Sequence, residues 1–185
     1  MTEKKMKELD AEGILLRDAN SDDMPSMLEI FNEAVLNSTA TFEHNPQTLE
    51  QRMKWFSNHG GKFPIVVAEV QGRVVGYCSL SSFRGSSGYA STAESSVYVH
   101  RDFRERGIGS TLMHEILHRA RQLGYHAIVA CIGGENDRSI KLHEKLGFKF
   151  SGRLEQVGHK FGRWQDDVFY VLIIIGSDAL VKKGE

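Results

Sequence analysis

Cysteine is scarce in this 185-residue chain: Cys78 and Cys131 are its only two. Two thiols cannot build the disulfide framework of a small secreted scaffold. Both lie in apolar, strand-like segments, where a thiol behaves as a small buried hydrophobe, so reduced, buried cysteines are expected. An excess of either charge is also missing, since 23 Lys and Arg face 24 Asp and Glu. No long-range field draws the chain to nucleic acid or to an anionic membrane, and neither is expected as a partner. Long apolar runs are absent too. The longest, Val168 to Ile175, has eight residues, far short of the roughly 20 of a spanning helix, and reads as a buried strand. The opening MTEKKMKELD mixes both charge signs and lacks an apolar stretch, unlike a signal or transit peptide; a cytoplasmic location is the expectation.

What the chain does have is the length and apolar content, 41% of residues, for one globular domain with a sizeable core. Residues 1–12 and 177–185 lack apolar periodicity and read as tails around a domain at 13–176. Ile14 to Arg17 reads as a strand. Ser21 then caps a helix whose apolar positions Met24, Met27, Leu28, Phe31, Ala34 and Val35 recur every three or four residues, until Asn37-Ser38-Thr39 ends it. A second helix is expected from Thr48 to Asn58. A hairpin follows, Pro64 to Glu69 and Val74 to Leu80, turning at Gln71-Gly72. Thr92 to His100 is a strand, Ile108 to Leu123 a helix, Ala127 to Ile132 a strand, and Asp137 to Leu146 a helix stopped by Gly147. Strands near Phe148–Arg153 and Asp167–Ile175 close the domain. The hairpin demands antiparallel pairing and the strand-helix-strand unit at 95–132 a parallel crossover. The fold class is therefore α/β (α+β), a mixed sheet with helices on both faces.

The most informative stretch runs from Val97 to Ser110, a strand, a charged loop and two glycines opening a helix. Glycines there admit a diphosphate close to the backbone, and the unpaired amides and helix dipole offset its charge. A nucleoside triphosphate loop would need Gly-Lys-Ser/Thr, which is absent. A dinucleotide fingerprint would need glycine where Leu112 stands and an acidic residue where Val129, Ala130 and Cys131 stand. Taken alone, the glycines could equally do no more than shape a tight turn.

The remaining pattern, Arg104-x-x-Gly107-x-Gly109, resembles the pyrophosphate loop of the GNAT acetyltransferases. Glu135 to Phe148, with Asn136 opening a helix that ends in Leu-Gly-Phe, resembles that family's second signature. The segments Ala34 to Phe42, Thr92 to Val99 and Val157 to Trp164 resemble the phosphinothricin and methionine sulfoximine acetyltransferases, over residues 14–175 in all. The resemblance implies a mostly antiparallel sheet of six to seven strands, acetyl-CoA as cosubstrate with no metal, and a small amino-acid acceptor. It also implies a homodimer in which Phe42 and Lys160 to Trp164 approach a neighbour's pocket. It places the pyrophosphate on Arg104, Glu105, Arg106, Gly107, Ile108, Gly109 and Ser110. The pantetheine arm falls along Val97, Tyr98 and Val99 and against Asn136 and Ser139. Substrate contacts fall on Arg84, on Ser87, Gly88 and Tyr89, and on Glu94, Ser95 and Ser96; Ser95 replaces a His of some relatives.

Moving an acetyl group from a thioester to an amine needs a neutral amine, a polarised carbonyl and a proton for the departing thiolate. Glu94 stands in an otherwise apolar or small-residue strand, an unusual place for a carboxylate, and is assigned as general base. His143 takes the place of a tyrosine that protonates the thiolate in many GNAT proteins and is the candidate acid, although a His packed beside Phe148 is the plain alternative. Lys160 and Arg163 are further candidates to pair with an acceptor's carboxylate or phosphinate. Three rival readings remain: a peptide or protein acetyltransferase, a silent CoA-binding sensor, and a covalent route through Cys78 or Cys131. A fourth is rejected. His114-Glu115-Ile116-Leu117-His118 spells the zinc-peptidase motif, but its histidines fall opposite the apolar stripe Ile108, Leu112, Met113, Ile116, Leu117, Ala120 and Leu123, so they should face water without a third ligand.

Overall fold

The structure is a computed structural model that describes residues 13–174. The expected tails at 1–12 and 177–185, and Ile175, lie outside the described residues. In order, the chain forms β1 (Ile14–Asp18), α1 (Met24–Asn37), α2 (Leu49–Ser57), β2 (Ile65–Val70), β3 (Arg73–Ser82), β4 (Thr92–Val99), α3 (Ile108–Gln122), β5 (Ala127–Gly133), α4 (Asp137–Lys145), β6 (Lys149–Lys160) and β7 (Arg163–Ile173).

Local chemistry explains the boundaries. Asn20 and Asp23 form a reciprocal capping box ahead of α1, whose first turn holds Pro25; the cap is thus Asn20, not Ser21. Thr48 and Gln51 form a second capping box at α2. Gln71 and Gly72 both adopt positive φ, 51° and 81°, which suits the two-residue hairpin joining β2 to β3. At the end of α3, Gly124 (φ 77°) donates to the Arg121 carbonyl and Tyr125 to that of Ala120, a Schellman ending.

The seven strands form one sheet in the order β1-β2-β3-β4-β5-β7-β6. Only β4 and β5 pair in parallel, as the crossover through α3 requires. Strand alternation sorts the core into two layers. Val66, Ala68, Cys78, Ala93 and Ile128 pack with Ile108, Leu112, Met113 and Ile116 of α3. Val67 and Tyr77 point the other way, to Met24, Met27 and Ile30 of α1. Helices therefore cover both faces. His114 and His118 of α3 are exposed, as expected, and their rings bond locally, His114 Nδ1 to the Ser110 carbonyl at 2.8 Å and His118 Nε2 to Gln122 at 2.9 Å.

Two expectations need correction. The last two strands extend much further than Phe148–Arg153 and Asp167–Ile175 suggested: β6 and β7 form a long hairpin turning at Phe161 (φ 52°) and Gly162 (φ 75°). Cys131, expected to be buried, is exposed, whereas Cys78 is buried. The reason lies in the sheet's geometry beside Cys131.

Candidate active site

Strand β4 keeps its partner on one side and loses it on the other. It pairs with β3 from Gly76↔Val99 to Ser82↔Ala93, but with β5 only through Thr92, Ala93 and Glu94. Beyond Glu94 the two strands diverge, leaving the β5-facing backbone edge of residues 95–99 without a ladder partner. Such an edge inside a sheet is a template for an extended, amide-containing ligand. The cleft opened there measures about 1120 Å³, above the range of roughly 300–1,000 Å³ that holds a drug-sized ligand. The same divergence brings Cys131 to the cleft wall instead of the core.

One end of the cleft leaves helix amides unpaired, an arrangement suited to an anion. Glu105 (φ 66°) and Gly107 (φ 79°) turn the chain sharply into α3, and Gly107 caps that helix without a side chain. The amides of its first turn are left for a ligand, with the positive end of a 15-residue helix behind them. Arg104 holds the turn in place: its Nε donates to the Val99 carbonyl at 3.1 Å, and its guanidinium pairs with Glu33 of α1. A Cβ added at Gly109 would only just touch Leu142 and Val99, at 3.5 and 3.7 Å, so α3 starts close against β4 and α4. Val97, Tyr98, Val99, Arg104, Glu105, Gly107, Ile108, Gly109 and Ser110 all line the cleft. Arg106 does not; its guanidinium lies 5.1 Å over the Phe103 ring.

The facing wall comes from β5 and α4. Asn136 caps α4 by accepting from the Ser139 amide at 3.2 Å, and Asn136, Ser139 and His143 all border the cleft. His143 is buried, with Nδ1 2.8 Å from the Ser139 carbonyl and its ring edge-on to Phe148 at 4.9 Å. That carbonyl must receive an N–H, which puts the proton of the neutral ring on Nδ1. Nε2 is buried and unpartnered. Burial also lowers the His143 pKa, ahead of the opposing contact to Ser139.

Where β4 and β5 part, Glu94 stands half-buried, level with Ser81 of β3 and Val129 of β5. Burial first, and the charge of Asp167 second, raise its pKa above the ordinary carboxylate range. Asp167 is raised by burial as well, partly offset because it accepts a hydrogen bond from the Cys131 thiol. Partial desolvation at the cleft wall, then the charges of Asp167 and Glu94, push that thiol up to about 12. The Cys78 thiol is raised by burial too. Neither cysteine is a thiolate near neutral pH, which counts against a covalent route. Tyr98 stacks on Tyr77 at 5.3 Å, and burial pushes its phenol up to about 12.

The other substrate candidates are spread out. Ser95 and Ser96 border the cleft. Arg84, Ser87, Gly88 and Tyr89 are exposed in the β3–β4 connection, with the Arg84 guanidinium 5.1 Å over Phe83 and 5.7 Å over Tyr89. Lys160 is buried, its Nζ donating to the Thr41 carbonyl at 2.5 Å, and Arg163 pairs with Glu135 at 2.7 Å on the cleft rim. The hairpin tip is thereby fastened to the loop after α1, where Gly158 lies directly under the Phe42 ring. Sequence reasoning missed Glu33 as the partner of Arg104, and missed Thr39 and Ala40 as part of the cleft wall. Gly133 was the available signal for the latter: a Cβ there would lie 2.5 Å from the Thr39 carbonyl oxygen.

Comparison with known proteins agrees with this geometry. Residues 16–169 match the family described as acetyltransferase (GNAT) domain. The chain is 43% identical over 159 residues to L-methionine sulfoximine/L-methionine sulfone acetyltransferase of Pseudomonas aeruginosa, covering 85% of this chain and 92% of that protein. Its fold superposes with a TM-score of 0.85 on a phosphinothricin acetyltransferase from Sinorhizobium meliloti solved with acetyl-CoA, at 36% identity over 92% of this chain and 94% of that one. A TM-score of 0.85 is also found with a ribosomal-protein-alanine N-acetyltransferase from Brucella melitensis, at 42% identity over 86% of this chain and 99% of that one. An open β4–β5 cleft, a glycine turn that leaves the first amides of α3 unpaired at one end and Glu94 where the strands part thus coincide with membership shown by sequence and fold: the chain belongs to the GNAT acetyltransferases, which use acetyl-CoA as acetyl donor.

Proposed function

We propose that the chain acetylates the α-amine of a small free amino acid or analogue of the methionine sulfone, methionine sulfoximine or phosphinothricin type, by direct attack assisted by Glu94. The observation that carries this reading is the position of Glu94, a carboxylate of raised proton affinity where β4 and β5 part. Acetyl-CoA supplies the acetyl group as a thioester. The first turn of α3 holds its diphosphate, with Arg104 bracing that turn; residues 97–99 and Asn136 hold its extended arm. Glu94 takes a proton from the acceptor's ammonium group, which frees the nitrogen lone pair. Amides on the open edge of β4 are placed to polarise an acyl oxygen at no reorganisation cost.

His143 fits the role of proton donor less well than its position suggested. With Nδ1–H committed to the Ser139 carbonyl, Nε2 has no proton to give, and burial opposes its gaining one. We assign it to the cleft wall, as an acceptor.

A peptide or protein acceptor is the second reading, favoured by the name of the Brucella protein. The β6–β7 tip argues for the small acceptor, because Lys160 and Gly158 fasten it over the loop after α1 and narrow that side. The hairpin supports a further proposal, a homodimer. β6 is an outer strand of the sheet, and Phe150, Leu154, Val157, Phe161, Trp164 and Ile173 are exposed on the two faces and the tip of the hairpin, apolar side chains for a second copy to contact. Dependence on acetyl-CoA, an intracellular thioester, supports a cytoplasmic location; among the described residues no helix is long and apolar enough to cross a membrane. The test is CoA release across free amino acids, methionine sulfone, methionine sulfoximine, phosphinothricin and alanine-initiated peptides. The free analogues should turn over, whereas turnover of the peptides alone would overturn the small-acceptor reading.

A further inference from the structure

Arg104 is held from two directions, and one of them lies on a different element. Its Nε donates to the Val99 carbonyl at 3.1 Å, where β4 ends, while its Nη2 donates to Glu33 on α1. Both side chains of this ion pair are partly buried. A planar guanidinium gripped at two of its three nitrogens has little freedom to rotate, so the turn at Glu105–Gly107 that follows Arg104 is fixed relative to α1. Helix α1 is also a wall of the cleft. Ile30 and Ala34, either side of Glu33 in the chain, border it, and so do Asn37, Ser38, Thr39 and Ala40. One helix thus meets the diphosphate turn through Glu33 and runs directly into the loop on the far side of the cleft. The same helix supplies a contrast. Glu29, one turn earlier, has Oε1 3.6 Å from His100 Nε2 and 3.7 Å from the Arg73 guanidinium. Glu29 and Arg73 are exposed, and a long contact in solvent contributes little. The Glu33–Arg104 pair is closer and better shielded, so its orienting effect is larger. By charge alone, a carboxylate is a poor neighbour for a diphosphate. Glu33 offsets that repulsion by balancing Arg104 and fixing its direction.

We infer that Glu33 is a positioning residue: acting through Arg104, it sets the spacing between the diphosphate turn of α3 and the α1 wall, and so prepares both sides of the cleft before acetyl-CoA binds. The inference rests on the proposed placement of the diphosphate at that turn. Glu33 exchanges no proton and makes no bond to either substrate. Its effect is on binding, because a cleft already in its bound shape has less ordering to do when the ligands arrive. The chemical step, which belongs to Glu94 and the open edge of β4, should be nearly untouched.

The experiment measures acetyl-CoA affinity by calorimetry, and kcat and KM for L-methionine sulfone, in the parent chain, Glu33→Gln, Arg104→Ala, the double variant and Glu29→Gln. Glu33→Gln keeps the size of the side chain and removes its charge. It should weaken acetyl-CoA binding about fivefold and raise the sulfone KM about threefold with kcat within about twofold, the scale of one partly buried charge-assisted contact. Added to Arg104→Ala, the same replacement should weaken binding no further, because the group it acts through is gone. Glu29→Gln should bind acetyl-CoA within about twofold of the parent, as expected for an exposed pair. Tighter binding by Glu33→Gln would mean that the carboxylate only repels the diphosphate, and unchanged binding that the pair positions nothing; either overturns the inference. So does an undiminished effect in the Arg104→Ala background, or an equal loss from Glu29→Gln. A parent that fails to bind acetyl-CoA overturns the placement of the diphosphate together with this inference, so the two failures are distinguishable.

Discussion

Replacing Gly133 by alanine tests the most crowded contact in the cleft wall. Gly133 ends β5 under the loop leaving α1, and the new Cβ would sit 2.5 Å from the Thr39 carbonyl oxygen and 3.5 Å from its carbonyl carbon and Cβ. The obstacle is backbone, so it cannot rotate away, and the loop must lift. Overpacking of this kind costs about 1–3 kcal/mol. Alanine regains about 0.4–1 kcal/mol by restricting the unfolded chain. A net loss of about 1–2 kcal/mol lowers the Tm of a domain this size by about 2–8 °C. Gly152→Ala is the matched control, since nothing lies within 4 Å of a Cβ built there; it should melt level with the parent or up to about 4 °C above it. Thermal unfolding by circular dichroism measures both. Thr39 and Ala40 border the cleft, so Gly133→Ala should also raise the acceptor KM. If Gly133→Ala melts with Gly152→Ala and keeps the parent KM, the loop does not pack on β5 as described.

Three other expectations follow from the site. Glu94 works as a base only when ionised, and burial together with the Asp167 charge raises its pKa; kcat/KM should therefore fall as pH drops through a limb above the ordinary carboxylate range. Cys131 and Tyr98 are neutral there, so Asp167→Asn should move that limb to lower pH, and a limb that stays put would remove the coupling. Arg104→Ala frees the Val99 carbonyl and Glu33, and should weaken acetyl-CoA binding about tenfold by calorimetry, the scale of a charge-assisted bond; unchanged affinity would deny the bracing role. His143→Asn should lose less than about tenfold in kcat, because removing a true general acid costs about 10²–10⁴. A larger loss would restore His143 as the donor.

Much of the fold could be read from local chemistry. The Gln71-Gly72 turn, the helix opening at Thr48, the amphipathic α3 and the glycine turn at 107–109 each carry a short-range signal, and each stands where expected. The β6–β7 hairpin was harder to read. Residues 151–157 of β6 are almost all exposed, and two register shifts interrupt the strand, so no alternation marks it. The parting of β4 from β5 leaves no trace in either strand's composition. Cys131 looks like its buried neighbours Ala130 and Ile132, and only the tertiary divergence exposes it. Glu94 was legible by itself, since a lone carboxylate in a strand of small and apolar residues is costly without a task.

The central claim is that the β4–β5 cleft holds acetyl-CoA while Glu94 takes the acceptor's proton. Its most direct test pairs acetyl-CoA calorimetry with turnover of methionine sulfone in the parent chain and in Glu94→Gln. The account predicts affinities within about twofold of each other and turnover at least about tenfold lower in the variant, at the low end for loss of a base. A parent that does not bind acetyl-CoA, or a Glu94→Gln protein that turns over at the parent rate, would contradict it.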